Sequence, residues 1–454
     1  MNTELWNSIL KFNLDIPIAD YGFSTRLADE NFWTKNFTIK AIAEYKKFIY
    51  LAATSEFMVS PSPIVDAVWH EHIIFTNSYA DLCAVVGKKI QHIPATGNKE
   101  DFEKFKLAKE RTKKLYKETF GEQPRGIWEY DDMFSPLNLP KARYKIRSVI
   151  ITGILAFFAL SIPFYNLLKP VYIHIGNPDF LTWYITILIC AIIVLEIINR
   201  DYLKKLVGQW RPDTFIYDLT ALELVYLKAG KLTDVIHGIV NEFLNQEKII
   251  INGNALQLNY YGETSTTEEY SLLDTVKHLE PVTYPVLLGQ LIQKPIFANI
   301  ASCMYAFRKY FTKSKALGKL FYPNLILILF LLMLGFVRVL TGLARGKPVD
   351  FIVITVVVAA MVFAAFLWRV VNLVCSDTIP NLYKTTLVKE FKNADSWDWQ
   401  YFLAGTAVLS SAFSPLVNSA ENGGNNGSSS GGCGSSGCSG GSCGGGGCGG
   451  CGGG

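Results

Sequence analysis

Four strongly apolar runs constrain the fold of this chain more than any other feature of its sequence. They cover residues 150–168, 181–198, 323–337 and 351–368. A helix needs about 20 apolar residues to cross the hydrocarbon core of a bilayer, and each run is close to that length. Since lipid cannot solvate backbone N–H and C=O groups, the runs must be helical. We therefore expect an integral membrane protein with two transmembrane helical hairpins.

Composition agrees with this expectation and limits the classes of partner that the protein is expected to bind. Half of the residues are hydrophobic, and the mean hydropathy is +0.22. The net charge of +4 is too small to indicate a polyanionic partner, so we expect a lipid bilayer and no nucleic acid. The N-terminus lacks the basic start and apolar stretch of a secretory signal, so the first run is expected to direct insertion itself.

Lys and Arg cluster at one end of each apolar run and predict the orientation. The clusters are Lys141, Arg143, Lys145 and Arg147; Arg200, Lys204, Lys205 and Arg211; Arg308, Lys309, Lys313, Lys315 and Lys319; and Arg369, Lys384 and Lys389. The connection 170–180 has almost no Lys or Arg. In the connection 341–350, Arg345 and Lys347 weaken the charge difference between the two ends of the helices. The positive-inside rule then predicts a multi-pass protein of the inner (plasma) membrane with a cytoplasmic N-terminus.

The predicted fold is mainly α. The expected segments are a helical cytoplasmic domain (1–140), two transmembrane hairpins (147–199 and 321–375), a cytoplasmic module between them (200–320), a short helical segment (376–417) and a Gly/Ser/Cys-rich tail (418–454). Residues 401–417 form a further uncharged run, but it contains Gly405, Thr406, Pro415 and several Ser. We expect a packed or interfacial helix there rather than a fifth span, which stays the alternative.

The module between the hairpins has the plan of a winged helix. Helices are predicted over 219–227 and 233–246, followed by two short strands that flank an Asn-Gly turn at 252–253. From 213 to 258 the chain carries six acidic residues and only three Lys. No Lys lies on the second helix. Phosphate contacts supply most of the affinity for DNA, so the module is expected to be structural or to contact protein.

A basic segment precedes the third apolar run. Residues 306–319 carry five basic residues and no acid, with aromatic and aliphatic residues between them. Two interpretations stay open. The segment could rest on the anionic inner leaflet, or its charges could be simple positive-inside flanks.

The N-terminal domain holds the residues best suited to chemistry. Helices are predicted over 39–51, 64–86 and 102–120, and the second contains Asp66, Trp69, His70 and His72. His70 and His72 point about 200° apart on a helix and cannot bind one ion. His72 lies on the apolar stripe, so we expect either a core histidine or a ligand-binding pocket of Trp69, His72 and His92. Asp66 could orient His70 as a general base, a weak catalytic candidate.

The tail combines low complexity with regularly spaced thiols. Its cysteines are Cys433, Cys438, Cys443, Cys448 and Cys451. A chain of Gly and Ser cannot bury enough apolar surface to order itself, so the tail is predicted to be disordered. Its thiolates could bind soft metals such as Zn²⁺ or Cu(I). A disordered interaction tail that binds proteins, a disulfide-bonded tail and a lipidated tail are the alternatives, and no other cofactor is indicated.

Two resemblances follow from these motifs. Asp66-x-x-Trp69-His70-x-His72 is followed by Tyr79-x-x-x-Cys83, Gly87, His92-x-Pro94, Tyr116, Phe120-Gly121 and Trp128. Over about residues 10–135 this pattern resembles the glycine-rich domain-containing protein-like family, which implies a fold and a His/Trp/Cys pocket but no reaction. The remainder is similar to uncharacterised bacterial membrane proteins with paired spans, a motif like residues 223–230 and a Cys/Gly-rich C-terminus; Lys228-Ala229 departs from their more usual Gly-rich pair.

Together these features predict a membrane-anchored binding or scaffold protein. Its cytoplasmic domain would bind a small ligand, a peptide or a protein, and its tail would recruit metal or partners. The alternative is a membrane-tethered enzyme, with or without a metal, that uses Asp66 and His70. A transporter is disfavoured because the four runs contain few ionisable groups.

Overall fold

The computed structural model describes residues 2–93, 99–259, 264, 266–387 and 396–423. These residues are mostly helical and include a small three-stranded sheet, which confirms the predicted mainly-α class. The five tail cysteines and the predicted disorder of the tail lie outside the described residues. The N-terminal domain comprises α1 (Thr3–Lys11), α2 (Phe23–Asn31), α3 (Lys35–Thr54), α4 (Pro63–Ile74), α5 (Thr76–Val86), α6 (Lys99–Phe120) and the single turn α7 (Arg125–Trp128).

The helix expected over 64–86 is broken, and this expectation was wrong. α4 ends and α5 begins at Phe75, whose backbone leaves the helical region (φ −81°, ψ 67°). The Phe75 ring packs edge-on against Phe23, with ring centroids 5.7 Å apart. Thr76, Asn77 and Ser78 follow directly, and such side chains compete with a helical backbone for its hydrogen bonds. The break turns one long helix into a packed pair.

All four apolar runs lie in helices long and apolar enough to cross a membrane. These are α8 (Ile146–Tyr172), α9 (Asn177–Gly208), α15 (Lys315–Ala344) and α16 (Asp350–Leu373). Beyond α16 the helix continues through a π-helical stretch (Val374–Thr378), α17 (Ile379–Leu382) and a second π-helical stretch (Tyr383–Leu387). Large apolar side chains stay exposed along these helices, as expected where lipid rather than water is the neighbour.

α15 is the central helix of the four, since it packs against α8, α9 and α16. The starts of α8 and α15 lie side by side. The Ala142 N–H donates to the Lys313 carbonyl (2.8 Å) and the Lys315 N–H to the Pro140 carbonyl (2.7 Å). At the same level Arg200, after the apolar part of α9, pairs with Asp377, after α16 (3.0 Å). The soluble segments therefore all join the helices at one end.

The module between the hairpins follows the predicted order of two helices and a hairpin. Its elements are α10 (Ala221–Ala229), α11 (Leu232–Asn245), β1 (Ile249–Asn252), β2 (Ala255–Leu258), α12 (Thr267–Leu279), β3 (Val282–Thr283), α13 (Tyr284–Leu291) and α14 (Pro295–Thr312). The sheet is antiparallel with strand order β1-β2-β3, and Asn252 pairs with Ala255. The central turn residues are thus Gly253 and Asn254 rather than Asn-Gly. Only Gly253 has positive φ (61°), as a type II′ turn requires.

The apolar side of the basic segment 306–319 faces protein. Phe307, Phe311 and Leu317 are fully buried in the core. A helix that lies on a leaflet buries its apolar side in lipid instead. The segment therefore does not rest on a leaflet through its apolar side, and the second interpretation, charges that flank the membrane helices, stays a prediction.

The N-terminal domain and the middle module pack into one body with a continuous hydrophobic core. Asp20 forms an ion pair with Lys294, and the Lys35 N–H donates to the buried Glu223 carboxylate (3.0 Å). The Asn299 side chain donates to the Trp33 carbonyl (3.2 Å). Polar contacts as well as apolar packing therefore join the two predicted domains.

The uncharged run 401–417 is folded against this body. It contributes to α18 (Trp397–Ala404), a 3₁₀ turn (Gly405–Val408) and α19 (Ser414–Gly423). The Tyr401 hydroxyl donates to the Asp234 carbonyl (2.7 Å), and the Phe413 ring lies 4.8 Å from that of Tyr284. Each of these helices is far too short to span a bilayer, in keeping with the expected packed helix rather than a fifth span.

Candidate functional site

Three polar side chains converge beside α4. The helix begins after Ser62, whose hydroxyl accepts from the Val65 N–H, and Pro63 occupies its first position. Asp66 and His70 are one turn apart and therefore lie on the same face. His92 comes from the segment after α5. Gly87, at φ 68°, ends α5 and turns the chain back towards α4.

The three side chains present their ligating atoms to one another. The His92 Nε2–H donates to Asp66 Oδ1 (3.0 Å), and His70 Nε2 lies 3.3 Å from Asp66 Oδ2. The two imidazole rings are 4.3 Å apart, centroid to centroid. All three ligand atoms lie within 4.8 Å of one another. Two imidazole nitrogens and a carboxylate oxygen are a common donor set for divalent transition metals.

Trp69 and Tyr79 support this Asp66/His70/His92 cluster from behind. The Trp69 ring packs against His92 at 4.6 Å between centroids, and its Nε1–H donates to the Tyr79 hydroxyl (3.0 Å). That hydroxyl in turn donates to the Ile90 carbonyl (2.5 Å). The segment that carries His92 is thus tied to both helices. Side chains held in this way bring their donor atoms together at a smaller cost in entropy.

The cluster is open to solvent on one side. The side chains of His70, Asp66 and His92 are 55%, 37% and 18% exposed. An ion can therefore reach the donors, and water or a ligand can occupy further coordination positions. Three protein ligands with open positions are typical of catalytic and exchangeable metal sites rather than closed structural ones.

His72 belongs to a different environment, on the inner side of α4. It is fully buried, and its Nδ1 hydrogen-bonds with the Tyr45 hydroxyl (2.8 Å) and its Nε2 with the Ser78 hydroxyl (3.0 Å). Burial lowers the pKa of His72 from 6.5 to about 4, so the ring is neutral near pH 7. The structure thus brings Trp69 to His92 but places His72 in the core, where its ring packs edge-on against that of Tyr79.

The Asp66–His92 contact is the part of the site that sequence reasoning missed. Asp66 was paired with His70 alone, and His92 was grouped with Trp69 and His72. His92 is 26 residues from Asp66 and lies outside any helix, so no periodicity connects the two. The only available signal was the shared presence of Asp, His and His in one motif.

Tyr116 and Trp128, which belong to the same motif, surround a buried carboxylate instead. The Tyr116 hydroxyl and the Trp128 Nε1–H each donate to Glu44 Oε2 (2.7 Å). The Lys47 ammonium donates to Glu44 Oε1 (2.7 Å). Glu44 is thereby paired and hydrogen-bonded, as a buried charge must be. These motif residues hold α3, α6 and α7 together.

A second group of potential ligands lies in the middle module. Asp234, His237 and Glu421 also place their ligand atoms within 4.8 Å. His237 is fully buried, its Nδ1 lies 2.5 Å from the Tyr284 hydroxyl, and its Nε2 is 3.7 Å from Glu421 Oε1. Burial lowers the pKa of His237. The imidazole is enclosed, so this group is less accessible to an ion than the Asp66/His70/His92 cluster.

None of the described cysteines joins either group. Cys83, Cys190, Cys303 and Cys375 are free thiols. Burial raises the pKa of Cys303. The tail thiols proposed as soft-metal ligands, Cys433, Cys438, Cys443, Cys448 and Cys451, lie outside the described residues.

Comparison with known proteins relates part of the N-terminal domain to one family. Residues 27–112 match the sequence profile of the UCP032817-like family, an uncharacterised family. The match includes Asp66, His70 and His92 but ends before Tyr116 and Trp128, and it gives no evidence for the glycine-rich family expected from the motif. No curated protein matches the chain. No solved structure matches it either.

Proposed function

We propose that the protein is a membrane-anchored binding protein whose N-terminal domain takes a divalent transition-metal ion at Asp66, His70 and His92. The observation that carries this proposal is the approach of three ligand atoms to within 4.8 Å, from a helix and a separate segment. In a tetrahedral zinc site, bonds of about 2.0–2.2 Å separate the ligand atoms by roughly 3.3 Å. His92 Nε2 lies 3.0 Å from Asp66 Oδ1 and His70 Nε2 lies 3.3 Å from Asp66 Oδ2, so each imidazole is at about this distance from one oxygen of the shared carboxylate.

The donor set limits the class of ion. Imidazole and carboxylate together favour Zn²⁺, Fe²⁺, Co²⁺ or Ni²⁺ over Cu(I), which prefers thiolates, and over Ca²⁺, which prefers oxygen. Both imidazoles must be neutral to bind, so binding releases protons and weakens at acidic pH. Softer ions would bind to the tail thiols instead. We include the tail in the proposal as a separate segment that binds metal or protein.

We place both soluble domains in the cytoplasm, with the chain in the inner membrane of a bacterium. The supporting observation is that the Lys- and Arg-rich flanks lie at one end of the four helices, the end that carries the folded body. On its Trp-His-x-His core and downstream Cys, we also propose that the N-terminal domain belongs with the glycine-rich domain-containing protein-like family.

Zinc binding tests the proposal directly. Full-length protein in detergent, with its five tail cysteines changed to Ser, is expected to bind one Zn²⁺ per chain by calorimetry and elemental analysis. Loss of a ligand in Asp66→Asn, His70→Gln or His92→Gln should weaken binding by at least about tenfold.

The chain offers a matched control for this experiment. Asp274 and His278 form a similar i,i+4 pair at 3.3 Å, with His278 70% exposed, and no third potential ligand joins them within the described part of the chain. His278→Gln should bind zinc as the parent does. Unchanged stoichiometry and affinity in the Asp66→Asn/His70→Gln/His92→Gln variant would overturn the metal assignment.

A membrane-tethered enzyme is the second candidate. The partial exposure of His70 and Asp66 favours it, because an ion held by three ligands keeps a position for water. Bound zinc lowers the pKa of such a water to about 7 and so supplies a nucleophile for hydrolysis. Zinc-dependent turnover of activated esters or phosphoesters, lost in Asp66→Asn and kept in His278→Gln, would move the assignment from binding to catalysis.

A further inference from the structure

A cavity of about 280 Å³ lies where α10, α14 and the end of α16 meet. Its walls include Lys228 from α10, Tyr305 and Arg308 from α14, Trp368 and Asn372 from α16, and Ser376 from the π-helical stretch. Among the residues that the structure describes, no acidic one lines it. It shares no residue with the Asp66/His70/His92 cluster, so its role is independent of the metal proposal.

The cavity lies at the boundary between lipid and the folded body. Trp368 is 18 residues beyond Asp350, or about 27 Å along a straight helix, close to the thickness of a hydrocarbon core. Its side chain is 71% exposed, and the exposed side chains that precede it on this helix, from Phe351 to Ala365, are apolar. Trp in such a position is typical of the interfacial belt, level with the lipid headgroups.

Three cations gather at this cavity. The Arg308 guanidinium reaches Asn372 Oδ1 (3.4 Å) and lies over the Tyr305 ring, whereas Lys228 lies beside Lys384. Burial and then repulsion from Lys384 lower the pKa of Lys228. Within the part of the chain that the structure describes, none of these three cations pairs with a carboxylate. By contrast, neighbouring Arg200 and Arg369 both pair with Glu196.

The surrounding helix is distorted at this point. The chain is π-helical at Val374–Thr378 and again at Tyr383–Leu387, on either side of α17. A π-helical turn widens a helix and is frequent at functional sites. Here the first stretch supplies Ser376 to the cavity wall, and the second carries Lys384 next to Lys228.

We propose that this cavity binds the phosphate headgroup of an anionic phospholipid, with Lys228 and Arg308 as its ligands and Trp368 against the upper acyl chains. An anion supplies the charge that these partly desolvated cations lack, and charge-assisted hydrogen bonds to phosphate are among the strongest in proteins. The location favours a lipid over a soluble phosphate, because the cavity adjoins the exposed, lipid-level face of α16.

Native mass spectrometry of the full-length protein tests this assignment. Detergent-solubilised protein is titrated with short-chain phosphatidylglycerol, phosphatidylcholine or inorganic phosphate. Phosphatidylglycerol should bind most tightly, and Lys228→Gln/Arg308→Gln should weaken it at least about tenfold. Lys228→Arg/Arg308→Lys keeps both charges and should retain binding. Lys313→Gln/Lys319→Gln removes the same charge from exposed positions and serves as the control.

Three outcomes would overturn the proposal. The first is equal affinity for phosphatidylcholine and phosphatidylglycerol. The second is competition by inorganic phosphate at the same concentration as the lipid. The third is an equal loss of phosphatidylglycerol affinity in Lys228→Gln/Arg308→Gln and in the control Lys313→Gln/Lys319→Gln. Thermal unfolding of every variant shows whether the fold is kept. If Lys228→Gln/Arg308→Gln is unfolded, the test depends on Lys228→Arg/Arg308→Lys, which keeps both charges. Loss of lipid binding in that variant while it stays folded would contradict the assignment.

Discussion

His72 connects the stability of the N-terminal domain to pH at the scale of one side chain. Its pKa is about 4 in the folded protein and near 6.5 in the unfolded chain. The native state therefore binds fewer protons between these values. The contribution of the neutral imidazole is complete above about pH 6.5 and is lost as the pH falls towards 4. The full loss is roughly 3 kcal/mol.

We expect hydrogen exchange to reveal this loss locally. In full-length protein with chelator present, amides of α3 and α4 should lose protection as the pH falls from 6.5 to 4, after correction for the intrinsic exchange rate. His72→Gln removes the titrating group and should flatten this dependence. The exposed His278→Gln should leave it unchanged. An identical pH dependence in His72→Gln and in the parent would show that another group is responsible.

Glu44 provides a second residue-level prediction. Its buried carboxylate accepts from Tyr116, Trp128 and Lys47. Glu44→Leu should destabilise the domain by about 3 kcal/mol, because it leaves these donors and one cation without their partner. Chemical denaturation followed by Trp fluorescence measures the change. Glu122→Ala removes the fully exposed Lys117–Glu122 pair and should have little effect. Equal midpoints for the two variants would contradict the prediction.

At the scale of single residues, the sequence predicts the candidate functional residues better than it predicts the contacts between them. Helical spacing correctly separates His70 from His72 and places Asp66 one turn from His70. It carries no information about His92, whose position depends on the turn at Gly87 and on the Tyr79–Ile90 hydrogen bond. Glu44 escaped notice for a similar reason, since its partners are 72 and 84 residues away.

At the end of the long apolar helices nearest the folded body, a pair of amides joins two helices. Asn199 of α9 and Asn324 of α15 donate to one another at 3.1 and 2.9 Å, and both are buried. In lipid, an amide without a partner is costly, so each side chain stabilises the position of the other. Such interhelical bonds contribute about 0.6 kcal/mol on average and up to about 1.7 kcal/mol in membrane proteins.

A double-mutant cycle should measure this contribution. Asn199→Leu leaves the Asn324 side chain with only its bond to the Leu320 carbonyl, and Asn324→Leu leaves the Asn199 amide without this partner, whereas the double variant removes both amides. We expect the double variant to be less destabilised than the sum of the singles, with a coupling energy of about 0.5–2 kcal/mol in reversible unfolding from detergent micelles. Additive effects would mean that the two amides are satisfied independently.

Elements were predicted well where a single physical requirement dominates. Each apolar run became a long helix because lipid leaves the backbone no alternative. The break at Phe75 was missed because apolar spacing continues across it, whereas the packing of Phe75 on Phe23 is a contact between distant parts of the sequence. The hairpin was anticipated but its turn was placed one residue early, since 252–254 offers both an Asn-Gly and a Gly-Asn pair.

The whole molecule combines four membrane helices with one folded body. The segments expected as separate domains share a core, and Glu223 shows why the boundary was invisible in the sequence. Its carboxylate caps its own helix through the Thr220 N–H (2.7 Å) and also accepts from the Lys35 N–H of the N-terminal domain. A single side chain thus completes α10 and joins the two parts. Charge and periodicity describe each part separately but not their contact.

The packing of α19 predicts the side of the membrane from which the tail leaves. Phe413 and Val417 are buried against the body that also contains the N-terminal domain. Because α18 and α19 are too short to cross lipid, the chain reaches residue 423 on that same side. The tail thiols should therefore share a compartment with the N-terminus. A reducing cytoplasm would keep them free to bind metal.

Thiol labelling of intact cells can test this arrangement with three single-site reporters, Cys433, Lys11→Cys and His174→Cys. In each variant, Cys83, Cys190 and every tail cysteine that is not the reporter are changed to Ser. The buried Cys303 and Cys375 are kept. His174 is exposed in the connection between α8 and α9, at the far end of the helices, so only its variant should react with a membrane-impermeant maleimide. Cys433 and Lys11→Cys should react only after permeabilisation. Labelling of Cys433 in intact cells would require residues 401–417 to cross the bilayer, contrary to their packing on α11 and α13.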